Sequence, residues 1–228
     1  MKIFCNIILF ACLLTLNAAA QTAEVKWDST FRPPSYDLRL NQFRSFPNST
    51  NDIIFLGNSI TAGVEWAELL QNNHVKNRGI SGDITFGVLQ RLDEITEGKP
   101  AKVFILIGIN DVSKGIPDSV TSANHKRIVQ YIKARSPKTK IYMQTLLPVN
   151  KNFGRHAAHY NKDEMVLRIN ERIRALVKEE GIELIDLYPE FLNSNGKLVD
   201  KYTYDGLHLT IAGYNKWADI LKKSGALK

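Results

Sequence analysis

Five short apolar runs, separated by amphipathic segments, constrain this chain more than any other feature. They are DIIFLG (52–57), VKNRG (75–79), KVFILIG (102–108), KIYMQTLL (140–147) and IELIDL (182–187). The first, third and fifth are almost continuously apolar, as expected of strands covered on both faces. The second is the least apolar and is placed as a strand because the alternation requires one. Between the runs, Val88, Leu89, Leu92 and Ile95 share a face of GVLQRLDEI, and Ile128, Val129 and Ile132 share a face of SANHKRIVQYIKA. Met165, Ile169, Ile173, Leu176 and Val177 align in DEMVLRINERIRALVKEE. Tyr214, Trp217, Ala218 and Leu221 align in TIAGYNKWADILKK, with Thr210 as its expected cap. These are helical spacings with polar opposite faces, and Pro137 and Gly181 fall just past two of the helices. Alternating strands and helices predict an α/β protein: a five-stranded parallel sheet with helices on both faces. In such a sheet the ligand site lies beyond the carboxyl ends of the strands.

The rest of the chain is ordinary globular material. The whole chain has 228 residues, 44% apolar and 23% charged, enough for one domain with its own core. Residues 1–20 differ: Lys2, the run IFCNIILFACLLTL and a small-residue NAAAQ describe a secretory signal peptide, with cleavage expected after Ala20. The apolar core is short for a membrane span, so no stable membrane insertion is expected once it is removed. Lipid attachment at Cys12 fits less well, because apolar residues continue after it. The expected location is periplasmic or secreted. Cys5 and Cys12 both lie in this segment, so a mature chain would carry no disulfide, thiol nucleophile or cysteine-ligated metal. Residues 21–50 read as a polar, irregular extension that docks through Trp27, Phe31, Tyr36 and Phe43, ahead of a domain spanning 51–228. The formal charge is +7, but the basic residues are scattered. A solvated basic surface explains them better than nucleic-acid binding.

Three loops of unusual composition meet at one sheet edge. The first holds Ser59, in FLGNSITAG. A serine in a tight turn after a buried strand is either an exposed nucleophile or, with Thr61, a cap for the following helix. Near the other end, YDGLHLTIAGY places Asp205 and His208 three residues apart before a helix. A histidine base needs an acceptor on one ring nitrogen while the other faces the nucleophile. The pair could equally cap the helix, or begin a metal site that lacks an obvious third ligand. His156 and His159 form a second pair at this spacing, but their own loop offers no carboxylate at ligand spacing. Gly79 and Gly82, in NRGISGDITFG, can present bare backbone N–H groups or simply make turns. Asn110, in IGIND, can aim its amide at a developing oxyanion or close an Asx turn. Phe153, His156, His159 and Tyr160 occupy the long loop after the fourth strand, where they would line the leaving-group side or pack the loop down.

Taken together, GNSIT, NRGISGD, GIND and DGLHLT resemble the four blocks of the SGNH hydrolases, the GDSL-type esterases and lipases. The resemblance spans residues 55–213 in family order. It implies a three-layer, flavodoxin-like α/β/α sandwich. It also implies Ser59 as nucleophile, Asp205 and His208 as acid and base, and Gly82 and Asn110 as oxyanion donors beside the Ser59 N–H. No metal or organic cofactor is implied. One departure is Asn58, where the family usually has aspartate. The likeness is closest to platelet-activating-factor acetylhydrolase-like proteins and bacterial carbohydrate O-acetylesterases, which implies a short acyl group. The expected substrate is an O-acylated, preferably O-acetylated, small ester or glycan. A lysophospholipase-like lipid esterase and a non-catalytic carbohydrate-binding protein are the alternatives. Intact blocks argue against the binding protein, and the lack of an obvious lid helix argues against a long-chain lipase.

Overall fold

The computed structural model describes residues 27–227; the proposed signal peptide lies outside the described residues. In chain order the elements are α1 (Tyr36–Arg44), β1 (Ile53–Gly57), α2 (Ser59–Ala62), α3 (Trp66–Leu69) and β2 (Val75–Gly79). Then come α4 (Thr85–Gln90), α5 (Leu92–Glu97), β3 (Lys102–Leu106), α6 (Ile109–Ser113) and α7 (Asp118–Arg135). The chain continues through β4 (Lys140–Gln144), α8 (Asp163–Glu180), β5 (Glu183–Ile185) and α9 (Ile211–Lys223). All five strands are parallel, in the order β2-β1-β3-β4-β5. This is the flavodoxin-like order, and its switch point falls between β1 and β3. Among the described residues no helix is long and apolar enough to cross a membrane.

Side-chain register explains how the sheet is covered. Phe55, Phe104 and Tyr142 are lateral partners on β1, β3 and β4. Their rings stack in a row, at 4.8 and 4.5 Å between centroids. Trp66 of α3 stacks on Phe55 at 4.3 Å and meets Trp217 of α9 edge to face at 4.8 Å. α3 and α9 therefore close this face, while α4, α5, α7 and α8 pack on one another as the opposite layer. Phe55, Phe104, Trp66 and Trp217 are all essentially buried, and burying such rings supplies much of the core's apolar stabilisation.

Two expectations need correction. Residues 36–44 are helical, not irregular: Tyr36, Leu40 and Phe43 fall at i, i+4 and i+7 and are buried against the domain. Tyr36 Oη also donates to the Gly87 carbonyl at 2.7 Å. Upstream, Trp27 stacks on Phe86 and the Lys114 ammonium sits over Phe31 at 3.3 Å. The single helix expected over 87–95 breaks at Arg91 (φ −116°, ψ 19°), between α4 and α5. There a fully buried Arg91 turns its guanidinium inward, to Asp83 and the Gly57 carbonyl. β3, β4 and β5 also stop two or three residues before their apolar runs do, because those runs continue into buried loops at the carboxyl edge.

Candidate active site

Ser59 opens α2 directly after β1. The cap of this turn is Asn58 rather than Ser59 or Thr61. Its Oδ1 accepts the Ile60 N–H at 3.0 Å, and its carbonyl accepts the Ala62 N–H at 2.9 Å. The buried Thr61 hydroxyl has no hydrogen-bond partner among the described residues. Ser59 Oγ is left for another partner, and that partner lies 149 residues away: His208 Nε2, at 2.9 Å. His208 Nδ1 is in turn 2.7 Å from Asp205 Oδ2.

Local hydrogen bonding shapes the DGLH segment. Asp205 Oδ1 accepts the backbone N–H groups of Leu207 and His208, at 2.9 and 2.7 Å. Thr203 Oγ1 accepts the Gly206 N–H at 2.8 Å and donates to the His208 carbonyl at 2.7 Å. Burial alone would raise the Asp205 carboxyl. Hydrogen bonds from the His208 ring and backbone, the His156 ring and the Leu207 N–H outweigh it, and hold the group far below the usual carboxylate range. An ionised carboxylate only accepts, so the imidazole nitrogens facing it carry their protons. His208 is therefore the Nδ1–H tautomer, with Nε2 able to accept the Ser59 hydroxyl proton.

Asn110 stands in the first turn of α6, at the end of β3. Its Nδ2 donates to the Asp83 carbonyl at 2.9 Å, and its Oδ1 faces His159 Nε2 at 3.3 Å. These two contacts orient the amide and leave its second N–H proton unclaimed by Asp83. Gly82 has φ +81°, in the left-handed region, and an added Cβ would stand 3.1 Å from Pro33 Cβ. The Ser59 N–H begins a helical turn and has no acceptor within it. Behind these donors lies a buried ion pair that the sequence reading missed. Arg91 Nη2 is 3.0 Å from Asp83 Oδ2 and donates to the Gly57 carbonyl at 3.2 Å. It fastens the segment after β2 to the end of β1.

The loop after β4 reaches across the whole constellation. His156 Nε2 is 2.8 Å from Asp205 Oδ2, so this one oxygen receives two imidazoles. His159, three residues on, reaches Asn110 instead. Burial, reinforced by the positive potential of His156, His208, Lys162 and Lys114, pushes the His159 imidazole down to about 4. It is neutral near pH 7 and donates through Nε2. Tyr160 Oη accepts the Arg155 and His156 N–H groups, at 2.8 and 2.9 Å, and holds the loop's shape. Phe153 lies against Gly206. Tyr204, exposed and directly before Asp205, lays its ring nearly parallel to His208 at 6.0 Å. Its position beside the acid is the one sequence signal that could have singled it out.

Comparison with known proteins places this geometry in context. The profile of the GDSL-like Lipase/Acylhydrolase family matches residues 55–216. Platelet-activating factor acetylhydrolase IB subunit alpha1 of Pongo abelii is 31% identical over 170 residues, covering 72% of this chain and 70% of that protein. A solved structure from Streptococcus pneumonia that carries a platelet-activating-factor name aligns with a TM-score of 0.77 and 30% identity, over 85% of this chain and 93% of that one. An acetyl xylan esterase structure aligns at a TM-score of 0.64 and 23% identity, over 76% and 98% of the two chains. That last likeness is one of fold.

Proposed function

This chain belongs to the GDSL-like lipase/acylhydrolase family and is a carboxylic ester hydrolase; from that premise we propose that it removes short acyl groups, acetyl foremost, from O-acylated carbohydrate. The observation that carries the reading is the continuous hydrogen-bonded line from Ser59 Oγ through His208 to Asp205. His208 Nε2 takes the Ser59 proton as Oγ attacks the acyl carbonyl carbon. The carbonyl oxygen becomes an oxyanion, held by the N–H groups of Ser59 and Gly82 and by Asn110 Nδ2. The imidazolium, stabilised by the ionised Asp205, gives its proton to the leaving alkoxide and leaves an acyl-enzyme. Water, deprotonated by the same nitrogen, then attacks the acyl carbon, and Ser59 recovers its proton as the acid departs. Because the base must be neutral imidazole, turnover is lost in acid.

The leaving-group assignment is supported by the exposed Tyr204 face beside His208. A flat aromatic surface at the mouth of the site suits the apolar face of a sugar ring. The acetyl preference is supported by the acetylhydrolase relatives, whose name also favours a second reading: a lipid esterase, of the lysophospholipase or platelet-activating-factor acetylhydrolase kind. Export remains part of the proposal, resting on the composition of residues 1–20.

Hydrolysis of p-nitrophenyl acetate by the wild type and Ser59→Ala tests the nucleophile; equal turnover by both would reject it. Acetylated xylan, acetylated sialic acid and lysophospholipid, assayed side by side, test the leaving group. Acetate released from the glycans supports the carbohydrate reading. Fatty acid released from the lysophospholipid supports the lipid one.

A further inference from the structure

Asp205 Oδ2 lies between two imidazole nitrogens from different loops, His208 Nδ1 at 2.7 Å and His156 Nε2 at 2.8 Å. The hydrolysis mechanism uses the first contact and has no step for the second. Sequence spacing argued against a metal here, because neither the Asp205–His208 pair nor the His156–His159 pair had a further ligand in its own segment. The fold supplies it from the other loop. One ligand atom each from His156, Asp205 and His208 lie within 4.8 Å of one another.

From this we infer that His156, Asp205 and His208 form an inhibitory site for a divalent transition-metal ion of the zinc type. Two imidazoles and one carboxylate are a donor set suited to Zn²⁺, and three protein ligands leave the fourth position to water. Bonds of about 2.0–2.2 Å would span the triangle after small side-chain shifts. Asp205 adds a carboxylate oxygen to the two imidazole nitrogens, so the ligands come from two separate loops. The side chains of His156 and His208 are 28% and 21% exposed, which gives the ion a way in.

Inhibition follows from proton placement and rests on the proposed role of His208 as base. A neutral imidazole carries one ring proton. When the ion takes the lone pair of His208 at Nδ1, that ring's proton must sit on Nε2. Nε2 then donates toward Ser59 Oγ instead of accepting from it, and the hydroxyl cannot be deprotonated. His156 undergoes the complementary exchange: its Nε2 binds the ion and its proton moves to Nδ1. No electron is transferred and no bond of the substrate is involved. Chelation reverses the whole effect. The ion is a brake on the hydrolase.

The test uses the full chain freed of metal with EDTA, titrated with zinc chloride. Binding is read by calorimetry, and turnover of p-nitrophenyl acetate is read in parallel. The expected result is one ion per chain, turnover falling in step with occupancy, and recovery on adding EDTA. His156→Gln should weaken binding at least about tenfold and shift the inhibition curve by the same factor, whatever its own basal rate. His74→Gln, at an exposed position outside the site, should move neither curve. Ser59→Ala should bind zinc like the wild type while lacking turnover, so binding is tested even if the esterase reading fails. Zinc binding that His156→Gln leaves unchanged would overturn the inference. So would inhibition equal in both proteins, or full turnover at saturating zinc.

Discussion

At the scale of single residues, the proposed oxyanion donors and the cap make separable demands. Asn110 keeps one amide proton on Asp83, and the proposed role uses the other on the substrate oxygen. Asn110→Ala should lower kcat by about 100-fold with little change in KM, as removal of one such donor does. Asn58 meets a different need. Its side-chain oxygen caps the Ser59 turn, and aspartate has an equivalent oxygen. Asn58→Ala should cost about 1 kcal/mol of stability and reduce p-nitrophenyl acetate turnover. Asn58→Asp should retain the cap, and a thermal melt with an activity assay separates the two variants. Ser59, Asp205 and His208, which the fold joins in one hydrogen-bonded line, could be singled out in the sequence because their segments resemble family blocks; the same resemblance is what proposes Gly82 and Asn110 as donors. The partners of His156 and His159 were not. Both histidines point to residues roughly 50 positions away in opposite directions along the chain, and no local spacing encodes such a meeting.

At the scale of elements, the strands and long helices could be read because their periodicity extends over enough residues to stand out. α8 matched its expected bounds, and Thr210 caps α9 by accepting the Gly213 N–H. α1 was missed although Tyr36, Leu40 and Phe43 have helical spacing, because three contacts are a faint signal between RPPS and SFPNST. The break at Arg91 was missed for the opposite reason: Val88, Leu92 and Ile95 keep a helical period straight through it. What interrupts the helix is a buried charge whose partners lie elsewhere. Arg91→Met should leave Asp83 buried without its cation and destabilise the fold by about 3–5 kcal/mol, measured by urea unfolding. Tyr36→Phe removes only the bond to the Gly87 carbonyl, and should cost about 1 kcal/mol in the same assay. The larger loss should therefore come from the ion pair behind the site, not from the docked helix.

At the scale of the whole molecule, pH couples to stability through groups outside the chemistry. His125 is buried in α7, donates to the Ile107 carbonyl at 2.9 Å, and is pushed down to about 4 by desolvation. Its folded value lies below the unfolded 6.5, so its contribution is complete above pH 6.5 and is lost as pH falls toward 4. Asp111 acts in reverse: burial raises it to about 7, so its contribution is complete below 3.8 and lost as pH rises toward 7. Urea melts of His125→Gln across pH 4–7 should show a flatter acid decline than the wild type, by up to about one proton's worth of slope, since glutamine can keep the bond without titrating.

Tyr214 Oη reaches from α9 to the Ile60 carbonyl, one residue past Ser59, at 2.8 Å. Gly63 permits this approach, because a Cβ there would collide with the tyrosine hydroxyl. The first strand's turn and the last helix are thus joined through the core, while Asp205 and His208 follow all five strands in the chain. A ribosome would deliver the proposed nucleophile, Ser59, early and its proposed base, His208, only after the final strand. On that proposal the growing polypeptide would stay chemically silent until the late segment closed onto β1, so the first turnover would report that Asp205 and His208 had been made and had docked.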